Sequence, residues 1–459
     1  MPDGEEDLLS LSQVCRRLRD VCKPTLFRRL LCTGSVLDPE CYDVFGRIMP
    51  YAQTIVFTLR GYPYCFGKAM QPLFPYMTRL RTVIFREYGE GLHIELIKGI
   101  LTAPNLETFV LEDVVWEQSP PYYSSEAPVL APLKRFIERQ CGIFSPQSAK
   151  SDLYQYDPHG FTLWFRCDVL SQASNTMEFI RMPSDGLSLQ FLATHSWPSL
   201  RELTIYGSCP VVDVPFISVL QAMPSLHTLK CLIREAVCFE ICPVELAQLV
   251  DIHVPPLQDI LVTNVKPADP FFQLLRSDDV VTITIIIYIE WPYDLASTGD
   301  EVLRLLRSRT FPALVNLDIG FFASNSSSLQ QLCSSLALFC PNVRNLTIHL
   351  FHDVGYPSAD PIVTALTPLK GLRTLRLDMH FPTVDDSWRE VPKLIDSSMQ
   401  RTIEVLPWLD TISFLPNSGS RKWVVCNLEK ADDSIKLGEI EHVTRDRYFG
   451  MLDQYEAEG

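Results

Sequence analysis

The chain has 459 residues, 47% of them hydrophobic, and 40 Lys and Arg against 55 Asp and Glu give a formal charge of −15. A balance this acidic excludes broad binding to phosphate backbones, so no nucleic-acid partner is expected, while the hydrophobic share is ample for a large core. Met1 is followed by Pro-Asp-Gly-Glu-Glu-Asp, with no basic and then apolar run, and the longest apolar stretch, residues 280–289, is about half of the ~20 residues a membrane span needs. No membrane partner is expected, and the protein reads as cytoplasmic or nuclear.

Leu8, Leu11, Val14, Leu18 and Val21 are spaced 3, 3, 4 and 3 residues apart, which predicts an amphipathic helix capped by Asp7 or Ser10. Pro24 is expected to end it and to open a second short helix carrying Leu26, Phe27 and Leu30. Arg16, Arg17, Arg19, Lys23, Arg28 and Arg29 form a basic cluster, read as a solvated helix face.

From about residue 50 a short phrase recurs. It runs apolar, two variable residues, apolar, one variable residue, apolar, usually with proline just ahead. Examples are Pro104-Asn-Leu106 with Phe109-Val-Leu111, Pro198-Ser-Leu200 with Leu203-Thr-Ile205, and Pro341-Asn-Val343 with Leu346-Thr-Ile348. Phrases begin near Ala52, Leu80, Leu106, Leu133, Met177, Leu200, Leu226, Leu257, Ile283, Leu314, Val343, Leu372 and Leu409, most of them 26 to 31 residues apart. A repeated strand that cannot bury its apolar face alone must stack on its neighbours. The predicted fold is therefore α/β: a leucine-rich-repeat solenoid, with a curved parallel sheet and outer helices. Helices are expected over residues 93–101, 213–222, 244–251, 298–307, 328–339, 361–366 and 388–405. Each proline then sits after a helix and before a strand, where it stops the one without costing the other a hydrogen bond.

The Asn that ordinarily follows such strands is mostly missing. Its place holds Val114, Ser208, Arg234, Phe322, Phe351 and His380, and only Asn417 fits. Turn backbone groups must be satisfied in some other way, and curvature should be uneven. Residues 119–128 read as a loop and 142–160 as a polar insertion. Beyond residue 418, the run from Trp423 to Leu428 suggests a last capping strand, followed by a charged end that is frayed or helical.

Fourteen cysteines without a secretory signal read as reduced core thiols, and Cys231 occupies an apolar slot of the repeat. His227, Cys231, Cys238, Cys242 and His253 lack the paired spacing of a zinc site, so no metal is expected. There is no phosphate-cradling glycine loop and no nucleophile elbow, so neither catalysis nor a cofactor is expected. His349, His352 and His380 lie near strand ends and could approach one another in stacked turns, with Asp353 and Asp378 close in sequence as the carboxylates an acid–base or metal role would need, but repeat edges collect polar residues in any case. The variable positions of the phrases should face the concave side. Among them Arg344, Arg373 and Arg376 make a basic patch on adjacent repeats, suited to an acidic or phosphorylated partner segment.

Residues 7–31, in Asp7, Leu8, Leu9, Leu11, Val14, Cys15, Arg16, Leu18, Pro24, Leu26, Phe27 and Leu30, resemble the second half of an F-box. With irregular leucine-rich repeats over residues 50–415, the chain resembles a fungal F-box protein of the leucine-rich-repeat type. An F-box ordinarily opens with an LPxEΦLxxIF helix, which does not precede Asp7, so the resemblance is to an N-terminally truncated F-box. It implies three segments: F-box-like helices over 1–34, the solenoid over 35–417, and a C-terminal cap and acidic tail over 418–459. It also implies a non-enzymatic substrate receptor of a cullin–RING (SCF-type) ubiquitin ligase. Leu8, Leu11, Val14, Leu18, Leu26 and Phe27 would bind a Skp-type adaptor, and the repeats would bind a target protein. The alternative is a repeat scaffold that has lost ligase association.

Overall fold

The computed structural model describes residues 16–33, 46–58, 71–86, 94–112, 114, 131–139, 169–184, 187–207, 210–233, 254–264, 278–286, 310–322, 326–351, 360–378, 391–415, 422–431 and 434–444. They fall into two compact units, one built mainly from the chain up to Leu203 and the other from Thr204 onward.

The first unit stacks β1 (Arg29–Thr33), β2 (Thr54–Thr58), β3 (Thr82–Arg86), β4 (Thr108–Glu112), β5 (Arg135–Arg139) and β6 (Phe179–Pro183) in chain order, every pair parallel. Helices α1 (Arg16–Leu26), α2 (Ile94–Ile100) and α3 (Leu170–Ala173) and two 3₁₀ turns, Met49–Tyr51 and Gln71–Tyr76, lie between strands.

Strand β7 (Glu202–Gly207) crosses the division between the units. The second unit continues through β8 (Thr228–Ile233), β9 (Asp259–Thr263), β10 (Thr282–Ile286), β11 (Asn316–Phe322), β12 (Asn345–Phe351), β13 (Thr374–Asp378) and β14 (Thr411–Leu415), parallel from β8 onward. It ends in an antiparallel hairpin, β15 (Lys422–Ala431) and β16 (Ser434–Thr444), laid on β14. Its helices are α4 (Leu189–Thr194), α5 (Phe216–Gln221), α6 (Ser326–Phe339), α7 (Asp360–Ala365) and α8 (Val391–Val405). The protein is thus α/β, with an open, mostly parallel sheet in each unit and short helices between strands.

The repeated phrase explains this order. Its last two apolar slots alternate along the strand and point to one face: Phe109 and Leu111, Leu346 and Ile348, Leu375 and Leu377 are all buried. Burying each such side chain stabilises by about 2 kcal/mol, and only a neighbouring repeat can supply the cover. In the first unit the slots carry phenylalanines. Phe57 stacks on Phe85 with centroids 4.9 Å apart, and Phe109 lies parallel to Phe136 at 6.4 Å.

Register is locked at the start of each strand. The Arg344 carbonyl accepts from the amides of both Arg373 (2.7 Å) and Thr374 (2.9 Å), and the Arg373 carbonyl accepts from Asp410 and Thr411. The same double acceptance recurs at Gln53, Arg81, Glu107, Gln258 and Val315. The residue after the proline ties turns together: Asn105 Nδ2 donates to the Thr78 carbonyl (2.6 Å), Asn342 Nδ2 to Pro312 (2.8 Å), and Ser199 Oγ to Asn175 (3.0 Å). At the opposite strand end, Asn264 adopts φ 56° and its Nδ2 donates to the Ile233 carbonyl at 2.8 Å, beside Thr263 Oγ1 at 2.7 Å. These bonds do the work of the missing Asn ladder.

Three expectations change. Helix α1 runs through Pro24 to Leu26 instead of stopping at the proline. Pro24 lies in the final turn, where one lost backbone bond is tolerated, and the Phe27 amide still reaches the Lys23 carbonyl at 3.0 Å. Leu30 belongs to a strand, not a second helix: Leu30 and Cys32 alternate into buried slots opposite Ile55 and Phe57, and pairing with β2 overrides helical spacing. Residues 1–34 are therefore not all-helical. Beyond the capping strand, Ser434–Thr444 is a strand, held by the antiparallel ladder to β15. Gly438 faces the Asn427 carbonyl there, 2.6 Å from where a Cβ would stand. The expected helices at 244–251 and 298–307 and the insertion at 142–160 lie outside the described residues.

Candidate functional site

Residues that alternate with the core slots project from the opposite, open face of each sheet. In the second unit, register aligns Thr282, Asn316, Asn345, Thr374 and Thr411 at the first position of successive strands. Asn345 Nδ2 donates to Asn316 Oδ1 (2.6 Å), and Asn316 Nδ2 to Thr282 Oγ1 (3.1 Å), giving a polar ladder. The third position carries Asp318, Thr347, Arg376 and Ser413. Thr347 and Ser413, read as exposed variable residues, are buried among their longer neighbours.

At the fifth position His349 pairs in register with Asp378 and with Gly320, which puts no side chain between the imidazole and β11. The ring is 1% exposed and bridges two strands: Nδ1 lies 3.1 Å from Asp378 Oδ2, and Nε2 lies 3.1 Å from Asp318 Oδ1. The contact to Asp378 is a hydrogen bond. Asp318 Oδ1 accepts no well-aligned hydrogen bond, so that contact is an ion pair. Burial by itself lowers the imidazole pKa, but the two carboxylates more than reverse this and raise it to about 9. Arg376 is half-buried; burial lowers its pKa and the Asp318 charge opposes that shift. Two carboxylates, an imidazolium and a guanidinium form a charge-balanced cluster. The imidazolium, held by a carboxylate on either side, ties β11, β12 and β13 together.

Of the residues expected near this site, His349 and Asp378 come together, while His352, Asp353 and His380 lie outside the described residues. Asp318, one repeat upstream, was the missed partner. Among the described residues no group of three His, Cys, Asp or Glu is placed to hold a metal ion. Cys231 is buried and its thiol is pushed up to about 12 by desolvation, as are Cys32, Cys333 and Cys340. Cys238, Cys242 and His253 lie outside the described residues.

The three arginines of the expected patch divide. Arg344 and Arg373 are exposed neighbours at the leading edge of β12 and β13, joined through backbone bonds. Arg376 lies three residues farther along β13, beside Asp318. Other residues join the leading edge. Arg373 Nη1 donates to the Trp408 carbonyl (2.9 Å), its Nε stands 4.0 Å from Asp410, and Lys370 Nζ lies 3.7 Å from the Trp408 ring centroid. The Arg344 side chain makes no hydrogen bond or ion pair with a described residue. The rim thus sets Arg373 and Lys370 against Trp408 with Asp410 at its edge, and Arg344 stands at the leading edge of the preceding strand.

In the first unit the open face is different. Leu31, Val56, Ile84, Val110 and Ile137 align into an aliphatic stripe across β1–β5. Charged triads border it. Glu107 Oε1 accepts from Arg81 Nη1 (2.6 Å) and Lys134 Nζ (3.3 Å). Glu112 accepts from Arg86 Nε (2.7 Å) and Arg139 Nη1 (3.0 Å) on separate oxygens.

Of the adaptor residues, Leu8, Leu11 and Val14 lie outside the described residues, and Leu18, Leu26 and Phe27 are half-buried. Leu18, Cys22 and Leu26 share a helix face on which Cys22 is buried, while Val21 is 69% exposed. Among the described residues no helix is long and apolar enough to cross a membrane. The sequence matches no family model and no curated protein at a significant level.

Proposed function

We propose that the chain is a non-enzymatic protein-interaction receptor of the kind that brings a target protein to a cullin–RING (SCF-type) ubiquitin ligase. The observation that carries this reading is the strand ladder itself: its core slots are filled on one face, while the other presents exposed cations in register. A rigid row of charged side chains suits recognition of a partner segment. On this reading the rim of Arg344 and Arg373, with Lys370 against Trp408, takes an acidic or phosphorylated segment of the target, since guanidinium groups bind carboxylate and phosphate in bidentate fashion.

Adaptor docking falls to helix α1. Its exposed Val21, flanked by half-buried Leu18, Leu26 and Phe27, is an apolar feature that a Skp-type adaptor can cover. Size-exclusion chromatography of the full chain with a purified Skp-type adaptor tests this. Co-elution that Val21→Asp abolishes supports the reading. Failure to co-elute at micromolar concentrations leaves a repeat scaffold outside any ligase.

A further inference from the structure

We propose that the starts of β1–β5 form a second docking line in the first unit, and that it takes an extended segment of a partner protein with a carboxylate at each end, about six residues apart. The inference rests neither on the receptor reading nor on the rim of the second unit.

Register sets Arg29, Thr54, Thr82, Thr108 and Arg135 side by side at the first position of successive strands. Arg29 and Arg135 are exposed and close the two ends of the row, and the three threonines between them are half-buried. Among the described residues, neither the two arginine side chains nor the three hydroxyls form a hydrogen bond or ion pair. Threonines elsewhere in the unit serve the backbone. Thr102 Oγ1 donates to the Gly99 carbonyl (2.6 Å) and Thr176 Oγ1 to that of Leu133 (2.7 Å). The hydroxyls of the row are left for a partner. Arg135 lies over the ring of Phe179 on the next strand, 4.5 Å from its centroid, and this contact orients the guanidinium plane.

The geometry sets the spacing of the partner's groups. Strands lie ~4.8 Å apart, so Arg29 and Arg135 stand ~19 Å from each other at the backbone. An extended chain advances ~3.3 Å per residue and covers that distance in about six residues. The interval is even, so side chains at i, i+2, i+4 and i+6 share one side of the segment. Carboxylates at i and i+6 meet the two guanidinium groups, which bind them in bidentate fashion. Hydroxyl or amide side chains at i+2 and i+4 meet the threonines. The leading edge beside the row adds to the preference for acid. Arg28, Arg81 and Lys134 there outnumber Glu107 and Glu178, in a protein whose overall charge is −15. The next open-face residues of β2 and β4, Val56 and Val110, are buried, so the accessible groups follow the strand starts in a narrow line. Such a line suits an extended segment, whereas an α-helix with its side chains is ~10–12 Å across.

The probe is a labelled peptide of about nine residues with Glu at i and i+6 and Ser at i+2 and i+4, titrated with the full chain by fluorescence anisotropy. One twin of the same composition moves the second Glu to i+5, on the opposite side of the segment. Another twin carries Lys in place of both Glu. The first peptide is expected to bind at least about tenfold more tightly than either twin and to weaken as salt rises from about 50 to about 300 mM. Arg29→Met and Arg135→Met, each of which keeps the apolar stem, should reduce binding about tenfold. Thr82→Val, which removes one hydroxyl and keeps the shape, should reduce it about threefold. Arg344→Ala should change nothing. Equal binding of the two Glu peptides, no saturable binding of the first, binding that survives both arginine substitutions, or binding lost with Arg344→Ala overturns the proposal.

Discussion

His349 and Asp378 face each other in register on adjacent strands, with Nδ1 and Oδ2 3.1 Å apart in a site where the imidazole is 1% exposed. Asp318 reaches the other ring nitrogen from the strand on the opposite side. The second unit thus carries a buried cation held between two carboxylates, and its energetics depend on pH.

The sign follows from the shift. The folded-state pKa of about 9 lies above the ordinary histidine value of about 6.5, so the folded protein holds a proton that the unfolded chain releases. The contribution is fully present below about pH 6.5 and is lost as pH rises through about 9. A shift of this size corresponds to about 3 kcal/mol. Chemical denaturation should show stability falling from pH 6.5 toward 9.5, and His349→Gln should flatten that slope. A slope unchanged in the variant would remove His349 as its source.

Gly99 is a contact point between repeats. A Cβ there would stand 2.9 Å from Gln71 Cα and 3.1 Å from Phe74 Cδ2, so helix α2 rests directly on the 3₁₀ turn of the preceding repeat. Alanine would gain about 1 kcal/mol of helix propensity, but displacing backbone costs about 1–3 kcal/mol. Gly99→Ala should therefore lower the melting temperature, and Gly99→Val should lower it further. A rise in melting temperature for Gly99→Ala would show that the two repeats separate easily.

Asn342 ties two turns through the Pro312 carbonyl at 2.8 Å. The bond is exposed, so Asn342→Ala should cost about 1 kcal/mol, with Asn342→Ser recovering part of it. Equilibrium urea denaturation of the three proteins gives the comparison. No loss in the alanine variant would leave the Pro-Asn phrase without its stapling role.

Strand positions were legible because the constraint that makes them is local. Phrases beginning at Leu106, Leu200, Leu226, Leu314, Val343, Leu372 and Leu409 each precede a strand by two residues, starting at Thr108, Glu202, Thr228, Asn316, Asn345, Thr374 and Thr411. Ile283 is the exception, lying inside β10, since buried Val280 fills the opening slot of that copy. The described parts of the helices expected at 93–101, 213–222, 328–339, 361–366 and 388–405 match α2, α5, α6, α7 and α8 within a few residues. Long-range relationships were not legible. Asp318 is 31 residues from His349 and two residues out of register with it, since His349 pairs with Gly320, so only strand alignment reveals the bridge. The arginine patch failed to stay together for a related reason. Arg373 and Arg376 are close in sequence, yet three residues along a strand separate them by ~10 Å, and Lys370 and Trp408 enter the rim from turns instead. Pro24 misled because a proline in the last turn of a helix ends nothing.

The most direct test of the receptor reading is capture of the target by the repeats. Affinity purification of the full chain with cross-linking mass spectrometry should recover a partner whose cross-links fall on the rim of β12–β14. Arg344→Ala combined with Arg373→Ala should lose that partner at unchanged melting temperature, with Arg376 kept so that Asp318 retains its neighbour. The same partner recovered in full by the double variant, or cross-linked away from this rim, would contradict the account.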